Sequence, residues 1–234
     1  MTHLPHFQMY IDGAFTNGHA GQVMTSQNPA TGEDWATFAC AAPQDVDRAV
    51  AAARRVLDDP AWRDMTQTQR GKLLYRLGDL IEKNAAELGL IETTDSGKLL
   101  AETATQTGYV GDYYRYYAGL ADKIEGAVLP IDKPDMHVFT RREPIGVVAA
   151  IVPWNAQMFL TATKLGPALA AGCAVVLKAS EIAPAPLLAF APCGRGPDCV
   201  HGGGGNSPPR RAQFGRKLRR HHVGIGRKIP HRGV

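Results

Sequence analysis

An α/β fold class follows from three stretches of this 234-residue sequence: a short-period opening before residue 34, helical periodicity from Val46 to Tyr117, and a strand-helix-strand pattern between Ile145 and Lys178. With 44% apolar and 21% charged residues, the composition is that of an ordinary globular protein able to bury a core.

The opening reads as β structure. Phe7 to Ile11 and Ala14 to Thr16 flank Asp12-Gly13, a hairpin turn pair favoured because both residues tolerate positive φ. Asn28-Pro29-Ala30-Thr31-Gly32-Glu33 is a second turn, and from there the period becomes helical. Val46, Ala49, Val50, Ala53, Val56 and Leu57 line one face of a first helix. The next begins at Thr66, whose hydroxyl together with Gln69 makes a capping-box pattern, and it buries Leu73, Leu74, Leu77, Leu80 and Ile81. A third spans Asn84 to Thr94 and is broken by Asp95-Ser96-Gly97-Lys98. The segment through Tyr113, Tyr114, Tyr116 and Tyr117 resumes the helices, and its aromatics read as packing groups. Residues 124 to 129 and 136 to 142 alternate as two strands around Asp132-Lys133-Pro134-Asp135. A strand from Ile145 to Val152, a helix from about Gln157 to Ala171 and a strand from Cys173 to Lys178 complete one βαβ unit.

Charge divides the chain. Residues 192–234 hold ten Lys/Arg against one acid, Asp198, whereas residues 1–191 hold 16 Lys/Arg against 21 acids. The basic end also carries ten glycines and five prolines without apolar periodicity, so it is expected to be disordered. Its composition is that of a high-GC coding sequence read out of frame. Arg210-Arg211, Arg216-Lys217 and Arg219-Arg220-His221-His222 would attract phosphate, but no recognition fold accompanies them, which disfavours a nucleic-acid partner. Cys193, Cys199, His201 and His222 fit no familiar zinc spacing, and no metal is expected. Four scattered cysteines suit reduced thiols, and neither a membrane span nor a secretory leader is legible, so a cytoplasmic location is expected.

The run Val147-Val148-Ala149-Ala150-Ile151-Val152-Pro153-Trp154-Asn155, then Lys164-Leu165-Gly166-Pro167-Ala168-Leu169-Ala170-Ala171-Gly172 and Val175-Val176-Leu177-Lys178-Ala179-Ser180-Glu181, resembles the aldehyde dehydrogenase superfamily in order and spacing. The resemblance extends from about Tyr10 to Ala191. It implies an incomplete Rossmann-type cofactor domain with N-terminal helices and an oligomerisation hairpin. On that footing residues 1–123 are the N-terminal β-hairpin and helical part, 124–143 the hairpin that joins subunits, 144–191 the first βαβ of the cofactor domain, and 192–234 the basic tail.

The resemblance also implies roles. Asn155 matches the family's oxyanion Asn, whose side-chain N–H stabilises the charge developing as a thiolate attacks an aldehyde. Lys178 and Glu181 match contacts to the adenosine ribose, while Ile151, Val152 and Trp154 form part of the cofactor wall with Ser180 beside it. Glu181 favours NAD over NADP because it would repel a 2′-phosphate. Ala179 stands where the family commonly has proline. Ala156 and Thr163 stand where it often has aromatics, implying a roomier aldehyde tunnel.

Several of the family's segments are not in the sequence: no Gly-Ser-Thr-x-x-Gly turn for the pyrophosphate, no Glu-Leu-Gly-Gly segment carrying the base, and no Gly-Gln-x-Cys segment carrying the thiol. The chain therefore reads as the N-terminal part of an NAD(P)+-dependent aldehyde dehydrogenase, inactive by itself and weak in NAD binding. Its expected partners are an aldehyde in the complete family and a second copy or full-length subunits. Two alternatives stand beside this reading: a non-catalytic nucleotide-binding or subunit-pairing module, and a nucleic-acid binder acting through the tail.

Overall fold

The structure, a computed structural model, describes residues 4–191 and the backbone of residues 224–226. The opening strand is broken at Gln8: β1 (His6–Phe7) pairs parallel with β5 (Asp34–Ala39), whereas β2 (Met9–Ile11) forms a hairpin with β3 (Ala14–Thr16). Asp12 and Gly13, at φ 53° and 80°, supply the turn expected of that pair. The turn at residues 28–33 joins two strands, β4 (Val23–Gln27) and β5, instead of leading into a helix. Asn28 N–H donates to the Glu33 carbonyl at 2.8 Å, and the Asn28 side chain accepts from Ala30 N–H at 2.9 Å, which closes the turn.

Helices follow. On α1 (Pro43–Asp58), Ala49, Ala53 and Val56 are buried as their spacing requires, while Val46 is exposed and Ala52 takes up the core face. A one-turn α2 (Pro60–Arg63) leads to α3 (Gln67–Lys83), capped reciprocally by Thr66 and Gln69 at 3.2 and 3.0 Å. The next helix, α4 (Ala85–Ser96), runs past Thr94, so Asp95 and Ser96 lie in its last turn and the break falls at Gly97. The tyrosine-rich segment is α5 (Leu100–Leu120), with Tyr114 fully buried. Helices α3 and α5 pack closely because Gly78 and Gly111 face each other. A Cβ built on Gly78 would lie 2.7 Å from the Gly111 carbonyl oxygen.

Only β6 (Val128–Leu129) and β7 (Val138–Phe139) are paired in the predicted hairpin. The βαβ unit is formed as expected. Strand β8 (Val147–Ile151) is parallel to β9 (Ala174–Ala179), and α6 (Gln157–Ala170) crosses between them. Leu165 and Leu169 of α6, Val175 and Leu177 of β9, and Leu74, Leu77 and Ile81 of α3 share one core, each such side chain contributing roughly 2 kcal/mol by burial. A short α7 (Ala185–Phe190) ends this body. The expectation of a disordered tail falls almost entirely outside the described residues. Within that segment only Gly224–Gly226 is described, as a strand, β10, parallel to Leu177–Ala179 on the other edge of β9. No helix of the described residues is long and apolar enough to cross a membrane.

Candidate active site

Parallel pairing brings the ends of β8 and β9 together. Ile151 is in register with Lys178, and Val152 N–H continues the ladder by donating to the Lys178 carbonyl at 3.0 Å. Trp154-Asn155 therefore leaves the sheet beside the point where Ser180-Glu181 leaves it. This is the carboxyl end of a parallel sheet, where open α/β folds bind ligands.

Alternation along β8 decides what faces outward. Ile151 is 65% exposed, whereas the side chain of Val152 lies in the core, so Val152 offers the site its main chain. Trp154 is 46% exposed. Asn155 is exposed in the turn before α6, and the helix is already formed behind it, with Leu160 N–H donating to the Ala156 carbonyl at 2.9 Å.

Across the site, Lys178 Nζ lies 2.8 Å from Glu181 Oε2, and both side chains are partly exposed. A pair this accessible is worth about 1 kcal/mol or less, so hydroxyls of an incoming ligand can compete for both groups. The Ser180 hydroxyl is turned inward and accepts from Ile182 N–H at 3.2 Å, holding the loop that carries Glu181. Gln157 ties the halves together: its fully buried side chain donates from Nε2 to the Ala183 carbonyl at 3.1 Å. That bond links the first residue of α6, two past Asn155, to the loop two residues past Glu181. No local sequence pattern announces it.

A second link was equally hidden. Asp95 accepts from Ser26 Oγ at 2.5 Å, Trp35 Nε1 at 3.0 Å and Ala185 N–H at 2.8 Å, joining β4, β5 and the start of α7. Burial pushes its carboxyl above the usual aspartate value, and the three donors pull the other way. Charged residues in a helix ordinarily read as a solvated face, which conceals such a group.

The assembled chemistry is two exposed apolar side chains, Ile151 and Trp154, a paired carboxylate and ammonium, and a neutral amide in the turn before α6. Cys40 and Cys173 are both buried, as suits inert thiols, while Cys193 and Cys199 lie outside the described residues. Among the described residues no three His, Cys, Asp or Glu side chains converge as metal ligands. The zinc and phosphate readings of the tail fall outside the described residues.

Residues 15–195 match the model of the aldehyde dehydrogenase family. A (Z)-2-((N-methylformamido)methylene)-5-hydroxybutyrolactone dehydrogenase from Acinetobacter baylyi is 61% identical over 185 residues, 79% of this chain and 38% of the relative. Aldehyde dehydrogenase 1 of Tanacetum cinerariifolium is 42% identical over 76% of this chain and 36% of its own. Among solved structures, the NAD+ complex of an aldehyde dehydrogenase from Bacillus cereus superposes with a TM-score of 0.80 at 32% identity, covering 94% of this chain and 41% of that one. An NAD-dependent aldehyde dehydrogenase from Sinorhizobium meliloti gives 0.81 at 28% identity, over 96% and 41% of the two chains. The chain thus spans well under half the length of these relatives.

Proposed function

The chain belongs to the aldehyde dehydrogenase family, and from that premise we propose that residues 144–191 form the adenosine-binding part of an NAD+-dependent aldehyde-oxidising site. The observation that carries this reading is the Lys178–Glu181 pair, 2.8 Å apart, standing beside the Ile151 and Trp154 wall at the carboxyl end of two parallel strands. The residues present fit one end of the dinucleotide. Glu181 accepts hydrogen bonds from ribose hydroxyls, Lys178 donates to them, and the apolar wall excludes water from one face of the ligand. Bound NAD+ supplies the hydride acceptor of the family's chemistry. Asn155 donates its side-chain N–H to the oxygen that becomes anionic when a carbonyl is attacked. Glu181 selects against a 2′-phosphate, which makes NADP+ the poorer ligand.

These 234 residues hold no Glu-Leu-Gly-Gly or Gly-Gln-x-Cys segment, so by themselves they lack the thiol and the base for hemithioacetal formation and thioester hydrolysis. The proposal is therefore a partial site: weak nucleotide binding and no turnover by this chain alone. Isothermal titration with NAD+ tests the first half and NADH absorbance with a panel of aliphatic and aromatic aldehydes the second. A micromolar dissociation constant abolished by Glu181→Ala would mean the site is stronger than proposed. More than one equivalent of NADH per chain would refute the inactivity.

A subunit-pairing role is compatible with the same reading. Val128, Leu129, Ile131, Met136 and Phe139 leave an apolar surface on and beside the β6–β7 ribbon, which is the kind of face that a second subunit covers.

A further inference from the structure

Two hydrogen bonds cross between the chain leaving β8 and the chain leaving β9. Val152 N–H donates to the Lys178 carbonyl at 3.0 Å, and five residues further along each limb Gln157 Nε2 donates to the Ala183 carbonyl at 3.1 Å. Asn155 and Glu181 take matching places in this frame, each three residues past the first bond and two before the second. The first limb contains Pro153, whose ring fixes its own φ, and the second is drawn in by Ile182 N–H on the Ser180 hydroxyl at 3.2 Å. Beyond Asn155 and Glu181, the bond that joins the limbs is that of Gln157. Its side chain is fully buried, and Oε1 has no hydrogen-bond partner among the described residues. A buried carboxamide is costly unless it is bonded, so the bond to Ala183 is what accounts for Gln at this position. The Ala183 carbonyl only accepts, which fixes Nε2 toward it.

We propose that Gln157 is a positioning residue: by closing the frame it holds the Asn155 amide and the Glu181 carboxylate in fixed relation. Its donor reaches across from the first turn of α6, so the start of that helix and the loop carrying Glu181 move as one piece. The first bond alone leaves each limb hinged at the end of its strand. A buried carbonyl deprived of its donor would then draw the Glu181 loop toward solvent. Thr161, one turn along α6, is likewise buried and its hydroxyl has no partner among the described residues, so the same helix face carries a polar atom that joins nothing. The bearing on chemistry rests on the roles proposed above for Asn155 and Glu181, whereas the frame itself does not.

Hydrogen exchange on the whole chain, followed by nuclear magnetic resonance, tests the frame without ligand. In Gln157→Met, which keeps the length of the side chain and removes its donor, the amides of Val152 and Ile182 should exchange about tenfold faster. Leu160, bonded within α6 to the Ala156 carbonyl, and Ala185, held by Asp95, should keep their wild-type rates. Thr161→Val should alter none of the four. Unchanged rates at Val152 and Ile182 would overturn the proposal, as would an equal rise at Leu160 and Ala185, which a general loosening produces. Should Gln157→Met fail to fold, the wild type decides: the Gln157 side-chain NH2 should be protected as well as the Val152 amide, and exchange at the rate of an exposed Gln would refute the frame. Titrations with NAD+ and NADP+ read the functional half. Gln157→Met should weaken NAD+ binding by about fivefold and NADP+ binding by less, because a displaced Glu181 gives up ribose contact and 2′-phosphate repulsion together. Equal losses would overturn the positioning role. A wild type that answers to neither nucleotide sinks the proposed function, while the exchange rates still decide whether Gln157 holds the two limbs.

Discussion

The indole Nε1–H of Trp62 donates to the carbonyl oxygen of Gly172 at 2.9 Å, a buried bond spanning 110 positions of sequence. It clamps α2 to the turn between α6 and β9. Arg70 reinforces the clamp, donating to the Ala170 and Met65 carbonyls at 3.3 and 2.9 Å. The turn has little room, because Gly172 sits at φ +90° and a Cβ there would meet Pro144 at 3.0 Å.

Trp62→Phe is accordingly expected to destabilise the fold by about 2–4 kcal/mol, combining a buried carbonyl left without its donor and lost ring volume. Gly172→Ala should cost at least about 1 kcal/mol from the backbone conformation alone, before any clash. Urea unfolding monitored by circular dichroism measures both. A Gly172→Ala protein as stable as the wild type would show that the turn relaxes without penalty.

Asp95 makes stability depend on pH in a definite direction. Burial holds its native carboxyl above the ordinary aspartate value of 3.8, so the folded chain keeps a proton that the unfolded chain has already released. Stability linked to that proton is present at low pH and is lost as pH rises from 3.8 through the native value. The difference in unfolding free energy between wild type and Asp95→Asn should therefore decline across that window and level off above it. A difference that grows with pH would mean that the three donors outweigh burial and the shift has the opposite sign.

The elements read correctly from sequence are those whose determinants are local. Asp12-Gly13 specifies a turn by backbone conformation, and Thr66 with Gln69 specifies a helix start by two reciprocal bonds; both are formed. Strands β4 and β5 escaped because Val23–Gln27 is mostly polar and Asp34–Ala39 takes part of its definition from parallel pairing with β1, a partner 31 positions away. The start of α7 is capped from α4, so Pro184 carries no mark of it. The same holds for the site. Asn155, Lys178 and Glu181 stand out by motif, whereas Gln157 and Asp95 gain their meaning only from contacts made across the fold.

The Lys178–Glu181 pair carries a prediction about nucleotide choice. Glu181→Gln should weaken NAD+ binding by about tenfold, as expected when one charge-assisted hydrogen bond to a ribose hydroxyl becomes neutral. It should weaken NADP+ binding less, because removing the carboxylate also removes its repulsion of the 2′-phosphate. Competitive titration of the two nucleotides against both proteins gives the ratio. Equal losses for NAD+ and NADP+ would place Glu181 away from the ribose.

The β6–β7 ribbon should govern assembly. Val128 and Phe139 are cross-strand partners, 68% and 66% exposed, with Leu129, Ile131 and Met136 also exposed. A two-stranded ribbon with four paired residues has little stability of its own, so an apolar face of this kind is best maintained by a second subunit lying on it. Replacing Val128 with Lys and Phe139 with Glu removes the apolar face but keeps an attractive pair across the ribbon, which spares the hairpin itself. Sedimentation velocity should then show the wild type as a dimer or larger and the double variant as a monomer. The thermal midpoint of the core should hold, because neither side chain belongs to it. A wild type already monomeric at tens of micromolar, or a variant that still assembles, would remove the ribbon from the interface and leave the exposed faces of Tyr109 and Tyr116 on α5 as the next surface to alter.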